Sequence, residues 1–192
     1  MKKVALFGGT FNPIHLGHLI AAEDVRRSLK LDNIIFVPVG NPAHKNRKRL
    51  IDAKHRYNMA KLAIRGNPKF AISDYEIKKE GRSYSIETVN YFKEELGKNV
   101  KLFFIIGSDI VPELHTWEGI KNLIKLCDFI IMTRPGYVTS ENKIKKIGKL
   151  VHIKNEDISS REIRKLARKR DSIRYLVPKE VEKYIYENKL YR

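Results

Sequence analysis

The constraint that narrows the fold most is a set of short apolar runs that do not alternate with polar residues. Val4–Phe7, Ile34–Val39, Leu102–Ile106 and Phe129–Met132 are continuous, and Val151–Ile153 is a weaker fifth run. A strand with one wet face alternates; a strand covered on both faces, as in a parallel sheet between helices, has no need to. The intervening segments carry helical spacing. Ala22, Val25 and Leu29 stand at i, i+3, i+7, and so do Val89, Phe92 and Leu96. Ser159-x-x-Glu162 is a capping-box pattern ahead of Ile163 and Leu166, and Pro178 opens a last helix carrying Val181 and Ile185. Strands alternating with helices imply βαβ units, hence an α/β, Rossmann-like fold with a parallel sheet and helices on both faces. A length of 192 residues suits one such domain spanning 1–192. Ligands of open α/β sheets bind beyond the carboxyl ends of the strands, so the loops after Phe7, Val39, Ile106 and Met132 are the places to look for chemistry.

The first of these loops, Gly8-Gly9-Thr10-Phe11-Asn12-Pro13-Ile14-His15-Leu16-Gly17-His18, is the most unusual stretch of the chain. Gly8 and Gly9 can take positive φ and let backbone N–H groups approach a phosphate. Pro13 suits the first turn of a helix, whose N-terminus favours anions. His15 and His18 then share one face of that turn, and Gly17 keeps the face open to a ligand. Imidazoles placed there can donate to phosphate oxygens. The same pair could hold a metal, although no cysteine or third clear ligand accompanies it. The loop lacks the Gly-Lys-Ser/Thr ending of a P-loop and the three-glycine spacing of a dinucleotide fingerprint.

Bulk properties add exclusions. No apolar run is long enough to cross a bilayer, so no membrane partner is expected. The amino-terminal Val4–Phe7 run is too short for a signal peptide and reads as a strand, which points to a cytoplasmic protein. The single cysteine, Cys127, rules out an internal disulfide and a cysteine-based metal cluster, and its apolar neighbours suggest burial. The formal charge of +17 attracts polyanions, and Arg161–Arg170 is its densest block. That block is either a solvated helix face or a nucleic-acid contact. A nucleic-acid module would leave the two-histidine loop unexplained. A homo-oligomer is compatible with the sequence.

Thr10-Phe11-Asn12-Pro13-x-His15-x-Gly17-His18 resembles the T/HxGH signature of the nucleotidyltransferase α/β superfamily, with Asn12 where many members carry Asp. The resemblance implies that His18 stabilises charge on the α-phosphate in flight and that His15 helps to hold the triphosphate. Ile158-Ser159-Ser160-Arg161-Glu162-Ile163-Arg164 resembles the ISSTxIR element of the same superfamily, with Arg161 at a position usually small or hydroxylated. A helix N-terminus bearing hydroxyls, with Arg164 one turn in, is an anion site in its own right. On this view the helical portion from about 159 to 192 completes the ATP site.

Four further stretches resemble the bacterial nicotinate mononucleotide adenylyltransferase family. These are Pro38–Lys45 against PxxxPPHK, Ser83–Thr88 against SYTxxT, Ile106–Asp109 with Trp117 against GxD…W, and Thr133-Arg134-Pro135-Gly136. Ala43 replaces a proline and Ser85 a threonine. The KMSKS loop of class I synthetases is missing, and pantetheine-phosphate adenylyltransferases share only the two phosphate motifs. The family resemblance implies ATP and nicotinate mononucleotide as substrates, deamido-NAD and pyrophosphate as products, and Mg²⁺ accompanying ATP without a dedicated protein cage. It implies an ATP site of Gly8, Gly9, Thr10, Phe11, His15, His18, Ser159, Ser160 and Arg164. The acceptor site would draw on Asn12, His44, Lys45, Ser83, Tyr84, Ser85, Thr88, Trp117 and Arg134. Asp109 could cap a helix, bind a ribose hydroxyl or face the Mg²⁺ shell. Trp117 could pack or stack on a pyridine ring. His44 and Lys45 could be loop charges or phosphate contacts, and Ser83–Ser85 could cap a helix or meet a carboxylate.

Overall fold

The apolar runs become neighbours in a single sheet. Strands β1 (Lys2–Gly9), β2 (Asn33–Pro38), β3 (Phe70–Ile72), β4 (Val100–Gly107), β5 (Asp128–Met132) and β6 (Gly148–Val151) lie in the order β3-β2-β1-β4-β5-β6. Every neighbouring pair is parallel. The computed structural model describes residues 1–42, 50–133, 144, 146–153 and 157–192.

Continuity of the apolar runs has the reason expected of a doubly covered sheet. Along β1, Ala5 and Phe7 enter one core cluster, while Val4 and Leu6 enter another. The first cluster is closed by α1 (Leu16–Ser28), α2 (Ala53–Ala63), α6 (Ser160–Lys169) and α7 (Lys179–Glu187), through residues such as Val25, Met59, Ile163 and Val181. The second is closed by α4 (Ser85–Leu96) and α5 (Ile120–Leu126), through Val89, Phe92 and Leu123. A four-residue helix α3 (Tyr75–Lys78) and a 3₁₀ segment (Ser108–Thr116) sit at strand ends. Among the described residues no helix is long and apolar enough to cross a membrane.

Two strands depart from the sequence reading. β3 escapes it because three residues at a sheet edge, paired only through Ile34–Phe70, Ile35–Ala71 and Phe36–Ile72, carry too little apolar signal. The weak run expected at Val151–Ile153 ends where it was expected to begin, since β6 spans Gly148–Val151. Gly148 belongs there because a Cβ would collide with the Phe129 carbonyl of β5. Helix termini follow expectation more closely: Ser159 accepts from the Glu162 N–H at 3.2 Å, and Pro178 precedes α7.

The strand order reverses between β1 and β4. From β1 the chain proceeds to β2 and β3 on one side, then returns to place β4 on the other. Such a switch point opens a crevice beyond the carboxyl ends of the two central strands, here Gly9 and Gly107.

Cys127, between α5 and β5, is buried in the second cluster, and burial pushes its thiol up to about 12. The thiolate is the reactive form. Native protein at pH 8 is therefore expected to resist a thiol-specific disulfide reagent and to label fully only in denaturant; rapid stoichiometric labelling of the folded chain would contradict this packing.

Candidate active site

The loop after β1 is shaped by contacts rather than by glycine backbone freedom. Gly8 and Gly9 remain in the extended strand, and the positive φ falls on Phe11, at 44°. A Cβ on Gly9 would lie 2.8 Å from the Phe11 ring, so the glycine makes room for that ring. Phe11 itself is buried among Phe7 and Phe36. Its side chain belongs to the core, and only its main chain is left to meet a ligand. Pro13 lies ahead of the helix rather than in its first turn, because α1 starts at Leu16 with His15 as N-cap.

The two imidazoles lie against each other, with centroids 3.7 Å apart and planes 34° from parallel. His18 Nδ1 accepts from the His15 backbone N–H at 3.3 Å. In the neutral ring this places the proton on Nε2, which is then the donor nitrogen. Phe11 meets the His18 ring edge-on at 5.2 Å and fixes its plane. His15 is 6% exposed. A Cβ on Gly17 would be 3.1 Å from His15 Nδ1 and 3.6 Å from Ile158, so Gly17 admits the His15 ring instead of holding a face open for ligand. The Leu16 N–H, the first of α1, donates to the Leu176 carbonyl at 2.9 Å. One donor of this helix N-terminus is therefore already committed to protein.

The carboxyl-terminal portion docks directly on this loop. Ser160 Oγ donates to the Pro13 carbonyl at 2.8 Å, and Arg164 Nη1 donates to the Asn12 carbonyl at 2.7 Å. The Tyr191 hydroxyl donates to Asn12 Oδ1 at 3.1 Å, and burial raises that phenol above its ordinary value. Asn12, expected at the acceptor, is 3% exposed and serves as an internal fastener. Ser159 is exposed at the N-cap of α6. Arg161, Lys165 and Arg168–Arg170 are exposed too, forming a solvated basic face beside Arg164.

On the β2 side the organising residue is Arg56 of α2, only 2% exposed. Its guanidinium donates to four carbonyls: Thr10 at 2.9 Å, Val39 at 2.6 Å, Gly40 at 3.0 Å and Ile51 at 3.2 Å. Burial pulls its pKa below the ordinary value, against the pull of Tyr191, Asp52 and Glu76. Glu76 of α3 is also buried, and burial raises its pKa, while Thr88, Ser83 and Gly40 favour the charged form. Thr88 Oγ1 donates to Glu76 at 2.6 Å. Thr88, expected at the acceptor, is 2% exposed. Ser83 is clipped to the chain after β2, its N–H donating to the Asn41 carbonyl at 2.8 Å and its Oγ accepting from the Asn41 N–H at 3.2 Å. Neither Ser83 nor Ser85 caps α4, whose N-cap is Tyr84.

Beyond β4, Asp109 is half-buried in the 3₁₀ segment and Trp117 ends it, edge-on to Phe104 at 6.1 Å. His44, Lys45 and Arg134 lie outside the described residues. Among the described residues no cluster of three His, Cys, Asp or Glu side chains could hold a metal. The sequence reading missed Arg56, Glu76 and Tyr191. Arg56 did carry a signal, since it occupies the apolar stripe of α2 at i to Met59 (i+3) and Ala60 (i+4). Tyr191, near the end of the chain, carried none.

A family model for cytidylyltransferase-like proteins matches residues 6–166. A curated relative from Clostridium acetobutylicum, named "Probable nicotinate-nucleotide adenylyltransferase", is 46% identical, with 100% of each chain covered. A relative of the same name from a Thermoanaerobacter species is 43% identical across 99% of this chain and 94% of its own. Among solved structures, the nicotinic acid mononucleotide adenylyltransferase of Plasmodium falciparum complexed with NaAD has a TM-score of 0.84 at 25% identity, covering 100% of this chain and 98% of that one.

The loop geometry separates the two glycines of β1. Gly9→Ala should lower unfolding stability by about 1–3 kcal/mol through overpacking against Phe11. Gly8→Ala, where a Cβ meets Phe104 at an ordinary 3.4 Å, should stay within about 0.5 kcal/mol of the parent. Urea unfolding of the two variants decides it, and equal midpoints would contradict this account of Gly9.

Proposed function

The chain belongs to the cytidylyltransferase-like family, and on that premise we propose that it joins ATP to nicotinate mononucleotide, giving deamido-NAD (nicotinate adenine dinucleotide) and pyrophosphate. One observation carries the site assignment: Ser160 and Arg164 of α6 are bonded to the Pro13 and Asn12 carbonyls, immediately before the His15–His18 pair, at the sheet's switch point. Two anion-binding elements from opposite ends of the chain thus face one crevice.

A 5′-phosphate oxygen of the mononucleotide attacks the α-phosphorus of ATP in line. A new P–O bond forms, the bond to the bridging oxygen breaks, and pyrophosphate leaves with that electron pair. The attacking oxygen is already anionic at neutral pH, so no general base is needed, and catalysis is positioning plus charge neutralisation. On the ATP side we assign the main chain of Gly8–Phe11, His15, His18, Ser159, the N-terminus of α6 at Ser160, and Arg164. His18, with Nδ1 satisfied by its own helix N-cap, offers Nε2–H to the phosphoryl oxygen whose charge grows. Trp117, the Ser83–Ser85 turn and the His44, Lys45 and Arg134 side chains are assigned to the acceptor. Mg²⁺ accompanying ATP would supply further charge neutralisation, and a hard cation of this kind takes oxygen donors. Asp109, just beyond β4, is the carboxylate we assign to its hydration shell or to a ribose hydroxyl. The reading makes this a cytoplasmic enzyme.

Pyrophosphate release from ATP should therefore require nicotinate mononucleotide and should not be replaced by phosphopantetheine; release with neither would overturn the function. His18→Ala should lose about 10²–10³ in turnover, as for removal of one oxyanion donor, while keeping its circular dichroism spectrum. Turnover near the parent value would remove His18 from the mechanism. Trp117→Ala should raise the KM for the mononucleotide, and an unchanged KM would leave Trp117 as a packing residue on Phe104.

A further inference from the structure

Arg56 and Glu76 are two buried charged side chains that the phosphoryl chemistry above does not use. They approach the same peptide unit from different elements. Arg56 Nη1 donates to the Val39 carbonyl at 2.6 Å, and the N–H of that same Val39–Gly40 peptide favours the charged form of Glu76; Arg56 Nη2 adds the Gly40 carbonyl at 3.0 Å. Gly40 is also pressed on the α3 main chain, where a Cβ would collide with the Glu76 carbonyl. The remaining contacts of the two residues diverge. Arg56 holds Thr10 in the loop after β1, together with Val39 and Ile51 on either side of the segment that follows β2. Glu76 meets Thr88 and Ser83 at the start of α4.

We propose that Arg56 and Glu76 are positioning residues for adenylyl transfer, clamping the Val39–Gly40 peptide so that the acceptor loops hold a fixed distance from the phosphate loop. The proposal rests on the adenylyl-transfer reading and adds a coupling between its two half-sites. In-line attack is sensitive to small displacements between nucleophile and phosphorus, and the clamp spans that gap. A guanidinium suits the task because its planar fork serves several carbonyls at once; an ammonium cannot serve four in this arrangement. The contacts predict an asymmetry. Arg56 touches both loops, so its loss should be felt by both substrates, whereas Glu76 touches only the acceptor side.

The test is steady-state kinetics of purified Arg56→Lys and Glu76→Gln proteins, with KM for ATP and for nicotinate mononucleotide measured separately, beside thermal melting. Arg56→Lys should lose about tenfold or more in kcat/KM for both substrates, the scale expected when a charged hydrogen bond is lost. Glu76→Gln should raise the KM for the mononucleotide about fivefold or more while the KM for ATP stays near the parent value. Kinetic constants unchanged in both variants, even with lowered melting temperatures, would reduce the pair to ordinary structural residues and overturn the proposal. So would an equal rise of both KM values in Glu76→Gln. Should Arg56→Lys fail to fold, the Glu76→Gln split decides alone. A parent protein that releases no pyrophosphate would instead overturn the adenylyl-transfer reading, so the two failures are distinguishable.

Discussion

The chain between β1 and α1 leaves the sheet with carbonyls that neither a strand nor a helix satisfies. A buried carbonyl left without a donor is costly, so this loop can hold one shape only if donors are brought to it. They come from far away in sequence: Arg56 of α2 to Thr10, Arg164 of α6 to Asn12, and Ser160 to Pro13. Tyr191 adds a bond to the Asn12 side chain. The phosphate loop is thus a keystone whose conformation depends on the amino-terminal half and the carboxyl-terminal helices being docked together. Charge-assisted bonds from two guanidiniums do most of this, and they bring positive charge to the loop that the proposed function assigns to the triphosphate.

This division also explains what the large positive charge means. Most of the basic residues, including Arg161, Lys165 and Arg168–Arg170, are exposed and add only a diffuse, salt-screened field. Arg56 and Arg164 differ because the fold orients them: main-chain carbonyls accept hydrogen bonds from each guanidinium. Net charge predicted an appetite for anions without locating it. Location follows from which cations the backbone can solvate.

Much of the fold was legible because the apolar runs lacked alternation, and a doubly covered parallel sheet is the simple reason for that pattern. β3 was not legible, since an edge strand of three residues is defined by its pairing to β2 rather than by its own composition. The site divides in the same way. His15, His18, Ser160 and Arg164 could be read because their residue types and spacing are informative along the chain. Their supports could not, because Tyr191 meets Asn12 across almost the whole sequence and Glu76 meets Thr88 across a turn. Glycine was read for the wrong property. Gly9 and Gly17 are small so that Phe11 and His15 can lie on them; Gly8 and Gly9 do not supply the positive φ expected of them, and Gly17 carries a ring where an open face was expected.

The same contacts bear on how His18 can act. Its Nδ1 accepts a hydrogen bond from the His15 backbone, and it can do so only while that nitrogen carries no proton. Full protonation would cost the N-cap bond and loosen the start of α1, against which the edge-on Phe11 ring also holds the imidazole. In the neutral ring this bond leaves the proton on Nε2, the nitrogen that the proposed function assigns as donor. On the proposed assignment, a donor fixed in advance would reorganise little as charge develops on the α-phosphate, which is the condition under which such a group lowers a barrier rather than merely tightening ground-state binding.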